Sequence, residues 1–191
     1  VFISFAFAVS CTIPAFSVES DIVYKGTLKL DVYRTSPANA PVLLFVHSGG
    51  WFQGDKATAQ GQVLGEDLSA RGINVVSIDY TLAPQGYYPA PLKDIDCALR
   101  WVAANAGVYG FDATRVYLGG YSAGAHLSLL YSLNANAYAD SQCPYAGPAP
   151  SVKKVFSGAG PTDLTVPMPN ASLQGMVDNF LTGTRAYGEA S

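Results

Sequence analysis

The sequence predicts an α/β protein with a doubly wound, mostly parallel sheet. Short, almost wholly apolar runs alternate with helix-length stretches, as parallel pairing requires. The runs lack the in-out alternation of a half-exposed strand, so both of their faces are covered. Residues with chemical potential fall just after the runs, where ligands bind in open α/β sheets.

The elements follow in order. Ile22 to Tyr24 and Thr27 to Tyr33 read as two short strands joined by a turn at Lys25-Gly26. In the second, Leu28, Leu30 and Val32 alternate with more polar residues, giving one wet face. Pro41 to Val46, Ile73 to Ile78, Val116 to Leu118 and the less apolar Val152 to Phe156 are the covered strands. Ala57 to Arg71 reads as a helix stopped by Gly72. Pro91 to Asn105 places Leu92, Ile95, Leu99 and Val102 on one stripe. Ala123 to Leu133 is rich in strong helix formers, and Leu173 to Leu181 is also helix-like.

Composition narrows the function. Of the 191 residues, 49% are hydrophobic and 13% charged, which supports a large core and argues against disorder. The net charge is −3 and no basic stripe is present, so a nucleic-acid partner has no electrostatic support. The apolar run from Val1 to Val9 is too short to span a bilayer. With Ala15-Phe16-Ser17 as a small-x-small cleavage site, residues 1–17 read as a signal peptide and 18–191 as the domain. A secreted protein is expected. The competing reading is a buried strand or helix of the domain itself. Beyond that segment two cysteines remain, Cys97 and Cys143, open to two readings: a disulfide or two separate buried thiols. Asn170-Ala171-Ser172 is a sequon usable only in a eukaryotic secretory route.

Gly120-Tyr121-Ser122-Ala123-Gly124 lies between a strand and a helix. A Gly-x-Ser-x-Gly turn in that context projects a nucleophilic serine, here Ser122, from a bend too tight for bulky flanks. His47-Ser48-Gly49-Gly50-Trp51 directly follows another strand. Acyl transfer builds charge on a carbonyl oxygen, and backbone N–H groups aimed at it stabilise that charge. Gly49, Gly50 and Ala123, the residue after the nucleophile, are the candidate oxyanion donors. Trp51 and Tyr121 are candidate substrate contacts, with ordinary packing as the competing reading for Trp51.

These segments resemble a carboxylesterase branch of the α/β-hydrolase fold. That branch includes hormone-sensitive-lipase-like enzymes, feruloyl and acetyl esterases, and kynurenine formamidases. The resemblance lies in His47 to Lys56, Asp79-Tyr80-Thr81-Leu82-Ala83-Pro84, Tyr88 to Asp94 and Gly120 to Leu127. Ser48 stands where that branch has Gly. The resemblance implies an acyl-enzyme on Ser122, a small-molecule ester substrate, and no metal or cofactor. It makes His47 the holder of the oxyanion loop rather than a base, and makes Asp163 structural. Asp79 and Asp94 are expected to fix loops. His126, one helical turn after Ser122, is expected to pack beneath it. The triad acid and histidine of that fold come after two further strands, so the sequence reads as truncated before the last strands and inactive as it stands. An amidase or formamidase on the same site is the nearest alternative. A non-catalytic ligand-binding protein of this fold is the alternative from another class.

Overall fold

The computed structural model describes residues 16–181. The sheet has six strands: β1 (Phe16–Lys25), β2 (Leu28–Thr35), β3 (Ala40–Val46), β4 (Asn74–Ile78), β5 (Phe111–Tyr121) and β6 (Val152–Gly158). The helices are α1 (Ala59–Ala70), α2 (Ala90–Ala104), α3 (Ala106–Tyr109), α4 (Ala123–Leu133) and α5 (Ala171–Leu181), with a 3-10 turn at Ala135–Tyr138.

The strand order is β1-β2-β4-β3-β5-β6. β4, β3, β5 and β6 run parallel, while the β1–β2 hairpin joins antiparallel through β2. The chain leaves β3 for β4 on one side and then crosses to β5 on the other. The order therefore reverses between β3 and β5, and a crevice opens beyond their carboxyl ends.

The predicted two-faced burial is observed in β3 and β4 and over most of Val116 to Leu118. It fails in β6, the edge strand of the order, whose residues are half-buried or exposed, Phe156 at 52%. The wet face expected of β2 is covered instead, with Asp31 and Tyr33 both 3% exposed. Along β3, Val42, Leu44 and Val46 enter the main core with Leu92, Ile95, Leu99 and Leu127 from α2 and α4. Leu43 and Phe45 point to the opposite face, into a smaller core with Tyr33 and Val75 that Leu64 and Leu68 of α1 cover. The alternation is the period-2 geometry of a strand.

Four boundaries differ from the sequence reading, for local reasons. Helix α1 starts two residues later than expected, because Ala57 donates its amide to Asp55 Oδ1 at 2.8 Å and so closes a side-chain turn. Strand β5 begins at Phe111, well before the apolar run. Its polar residues lie at the sheet's end, where Arg115 bonds Asp112 at 2.6 Å and the Asn39 carbonyl at 2.7 Å. α5 starts at Ala171, because Asn170 Oδ1 accepts the Leu173 amide at 3.0 Å as an N-cap. β1 begins at Phe16, paired with Thr35, so Phe16 and Ser17 of the segment read as a leader belong to the sheet ladder. Residues 1–15 of that segment lie outside the described residues.

Cys97 on α2 and Cys143 form a disulfide with Cα atoms 5.3 Å apart. Beside it, Lys25 bridges Asp94 at 2.6 Å and Asp140 at 2.7 Å, tying the hairpin to α2 and to the loop after the 3-10 turn. Burial disfavours the Lys25 ammonium, but its hydrogen bonds to Asp140 and Asp94 outweigh that and hold its pKa above the usual lysine value. Among the described residues no helix is long and apolar enough to cross a membrane.

Candidate active site

β5 ends at Tyr121, and Ser122 is the residue before α4. Its backbone has φ 51° and ψ −118°, a conformation that costs a non-glycine residue about 1–3 kcal/mol. Two bonds hold it there. The Ser122 amide donates to the Gly158 carbonyl at 2.7 Å, and the Ser122 carbonyl accepts the His126 amide at 3.1 Å. The first anchors the bend to β6 and the second starts α4.

The flanking glycines are demanded by close approach. A β-carbon on Gly120 would strike the Val46 carbonyl oxygen, and one on Gly124 would strike the carbonyl oxygens of Val46 and His47. The register pairs Val46 with Gly120. The end of β3, where the glycine loop starts, is thus packed directly against the serine bend. Ala123 is buried at the first position of α4, where amides lack an intrahelical acceptor.

The loop after β3 is built by its own strained turn. Gly49, Gly50 and Trp51 have φ of 127°, 60° and 64°. The Gly49 carbonyl accepts the amides of Phe52 at 3.2 Å and Gln53 at 3.1 Å. His47 is fully buried and stacks on Tyr80 with ring centroids 4.3 Å apart. Its Nδ1 lies 2.6 Å from the Ser48 carbonyl oxygen, so Nδ1 carries the proton and donates. Burial lowers the His47 pKa below its usual value and keeps the ring neutral. Gly54 leaves room for this bond, since a β-carbon there would lie 2.7 Å from the Ser48 oxygen and 2.8 Å from His47 Nδ1. Tyr80 returns a hydrogen bond to the His47 carbonyl at 3.2 Å. His47 thus braces the loop, the role its resemblance implied, and Ser48 takes part through its backbone.

Asp79 ties the loop's far end. Its carboxylate accepts the Lys56 amide at 2.8 Å and the Lys29 amide at 3.3 Å. Asp94 accepts the Thr81 amide at 2.8 Å as well as the Lys25 ammonium. Asp163 is exposed and accepts the amide and hydroxyl of Thr165, which lower its pKa. All three carboxylates fix loops, as expected.

Trp51 is buried, between Phe180 of α5 and His126 of α4. It stacks on Phe180 at 4.7 Å and meets His126 edge-on at 5.3 Å. It supports the loop from within. Tyr121 is exposed, with its ring against Gly158 of β6. His126 is buried beneath the bend, as its one-turn spacing from Ser122 implied. Sequence reasoning did not single out Phe180 or Met176, which bring α5 onto the loop. The Met176 sulfur lies 2.9 Å from where a Gly50 β-carbon would stand. No local signal marks them, because the contacts join segments more than a hundred residues apart.

The site has no gathered metal ligands: among the described residues no group of three or more suitable side chains converges. A groove of about 840 Å³ borders His47, Tyr80, Lys25 and Asp94, but Ser122 does not line it.

The reversal point in the sheet, the strained serine between strand and helix, and the glycine loop beside it define the α/β-hydrolase fold. The BD-FAE family's sequence model matches residues 30–185, and the chain belongs to that family. It is similar to esterase LipC of Mycobacterium tuberculosis, 41% identical over 112 residues that make up 56% of this chain and 27% of LipC. It is also similar to carboxylesterase NlhH of the same species, 42% identical over 90 residues, 47% of this chain and 28% of NlhH. Among solved structures, esterase LipW from Mycobacterium marinum superposes with a TM-score of 0.70 at 32% identity, covering 88% of this chain and 55% of LipW. The chain thus spans only part of the length of these relatives.

Proposed function

We propose that the protein carrying this chain hydrolyses carboxylic esters through an acyl-enzyme on Ser122. The observation that carries the reading is the strained Ser122 bend packed against the start of the glycine loop, each at the carboxyl end of neighbouring strands. The Ser122 hydroxyl attacks the acyl carbon. The resulting oxyanion is held by the amides of Gly49, Gly50 and Ala123, each worth roughly 3–4 kcal/mol in the transition state. The alcohol leaves with a proton, and water then cleaves the acyl-serine bond. A serine hydroxyl needs a base to do this. The chain has two histidines. His47 is committed to its loop and His126 is buried under the bend. On this reading the base and its acid partner are other residues of the full-length protein, in the fold's order of serine, acid, histidine.

The test is hydrolysis of an activated ester by the full-length protein and by its Ser122→Ala variant. Turnover that disappears in the variant is expected; unchanged turnover in the variant refutes the assignment. By the same reading the protein is secreted, a location that the Cys97–Cys143 bond supports, since such bonds persist in oxidising compartments. Recovery of the source organism's protein in the extracellular fraction, with that bond intact, is expected; recovery only in the cytosol with free thiols contradicts it.

A further inference from the structure

The contact between α5 and the glycine loop has a role that packing alone leaves unused. α5 is amphipathic, with Val177, Phe180 and Leu181 buried in the main core. Phe180 is locked by its stack on Trp51 and by its carbonyl, which accepts the Tyr88 amide at 3.2 Å. One turn back on the same helix face lies Met176, only partly buried. Its thioether lies against Gly50 on the side where a side chain would project, and the Phe52 ring edge closes the same space, 2.9 Å from the same β-carbon position. Gly50 is thus enclosed by two apolar groups, one of them rigid and one a flexible, polarisable chain able to adapt its shape.

We infer that Met176 is a specificity-determining wall of the substrate site and limits the length of the acyl group. This inference rests on the ester-hydrolase reading. An acyl carbonyl whose oxygen is bound by the Gly50 amide lies within a few ångströms of whatever flanks Gly50. The acyl chain stays there through both half-reactions, whereas the alcohol departs after the first. The chain therefore extends along an apolar surface to which the thioether contributes, and its reach depends on the volume at position 176.

The test uses the full-length protein and a series of activated esters of one alcohol, from acetyl to octanoyl. The readout is the ratio of kcat/KM for octanoyl over acetyl in wild type, Met176→Ala and Met176→Phe, with Ser122→Ala alongside. Pocket volume is worth roughly tenfold or more per methylene in such discrimination. The ratio is expected to rise roughly tenfold in the alanine variant and to fall by a similar factor in the phenylalanine variant. The ratio is internal to each variant, so partial loss of folded protein does not move it, and if one variant does not fold the other still decides. An unchanged ratio in the folded variants, with activity lost in Ser122→Ala, overturns the role of Met176 and leaves the esterase reading standing. Activity retained in Ser122→Ala overturns both.

Discussion

At residue 124 a single hydrogen separates the serine helix from the end of the neighbouring strand. A methyl group there is driven into backbone oxygens of Val46 and His47, which no side-chain rotation relieves. Gly124→Ala is expected to push the glycine loop away from Ser122. Ester turnover should fall at least about 100-fold, the scale of losing one oxyanion donor, and a kcat/KM measurement on the folded variant checks it. His47 gives a second prediction. Its pKa is lowered by burial, so below its ordinary value of 6.5 the unfolded chain takes up a proton that the folded chain resists. The contribution of His47 to stability should therefore be constant above that pH and decline as pH falls below it, until the lowered folded-state pKa is reached. Thermal melts across this range should show the decline in wild type. They should show less of it in His47→Asn, which keeps a donor near the Nδ1 position and does not titrate. The strained Ser122 bend and the positive-φ glycines of the loop were legible in the sequence because each depends on neighbours within a few residues. What Trp51 touches was not, because its partners Phe180 and His126 come from two distant helices.

Among the elements, α5 carries the most consequence for the site. Phe180 is nearly inaccessible and holds Trp51 by stacking. Phe180→Ala should cost about 3–5 kcal/mol of stability, read from the shift in a urea midpoint at constant m. The same variant should lose kcat through the loosened loop. β3 and β4 were readable because burial on both faces leaves continuous apolar runs, whereas β6 was misjudged because its apolar residues lie on an exposed edge strand. The first half of β5 was hidden by Asp112, Thr114 and Arg115, which satisfy one another at the sheet's end instead of entering the core. α3 and the 3-10 turn are each four residues long, too short for periodicity to register.

Across the whole molecule, the Cys97–Cys143 bond and the Lys25 bridges converge on one region. The bond closes a segment of 46 residues. On loop entropy alone its removal should cost about 4 kcal/mol, seen as a lower urea midpoint for the Cys97→Ala/Cys143→Ala protein than for the oxidised wild type. Spacing left the pairing open, because only the fold brings α2 beside the loop that carries Cys143. The Lys25 ion pairs had no sequence signal either, since Asp94 and Asp140 are far along the chain.

The register that sets Val46 beside Gly120 carries a last consequence. Everything between those two strands, from the end of the glycine loop to Gly110, makes an excursion that returns to the same rung. On the proposed reading, the spacing of Ser122 from the loop amides is set by that main-chain pairing and by the braces from Tyr80 and Asp79, not by the length of the exposed segments in between. Surface segments on that detour, such as the one around Val108, are free to be lengthened, shortened or exchanged while the reaction geometry stays put. A protein built this way can change its outer contacts without re-inventing its chemistry.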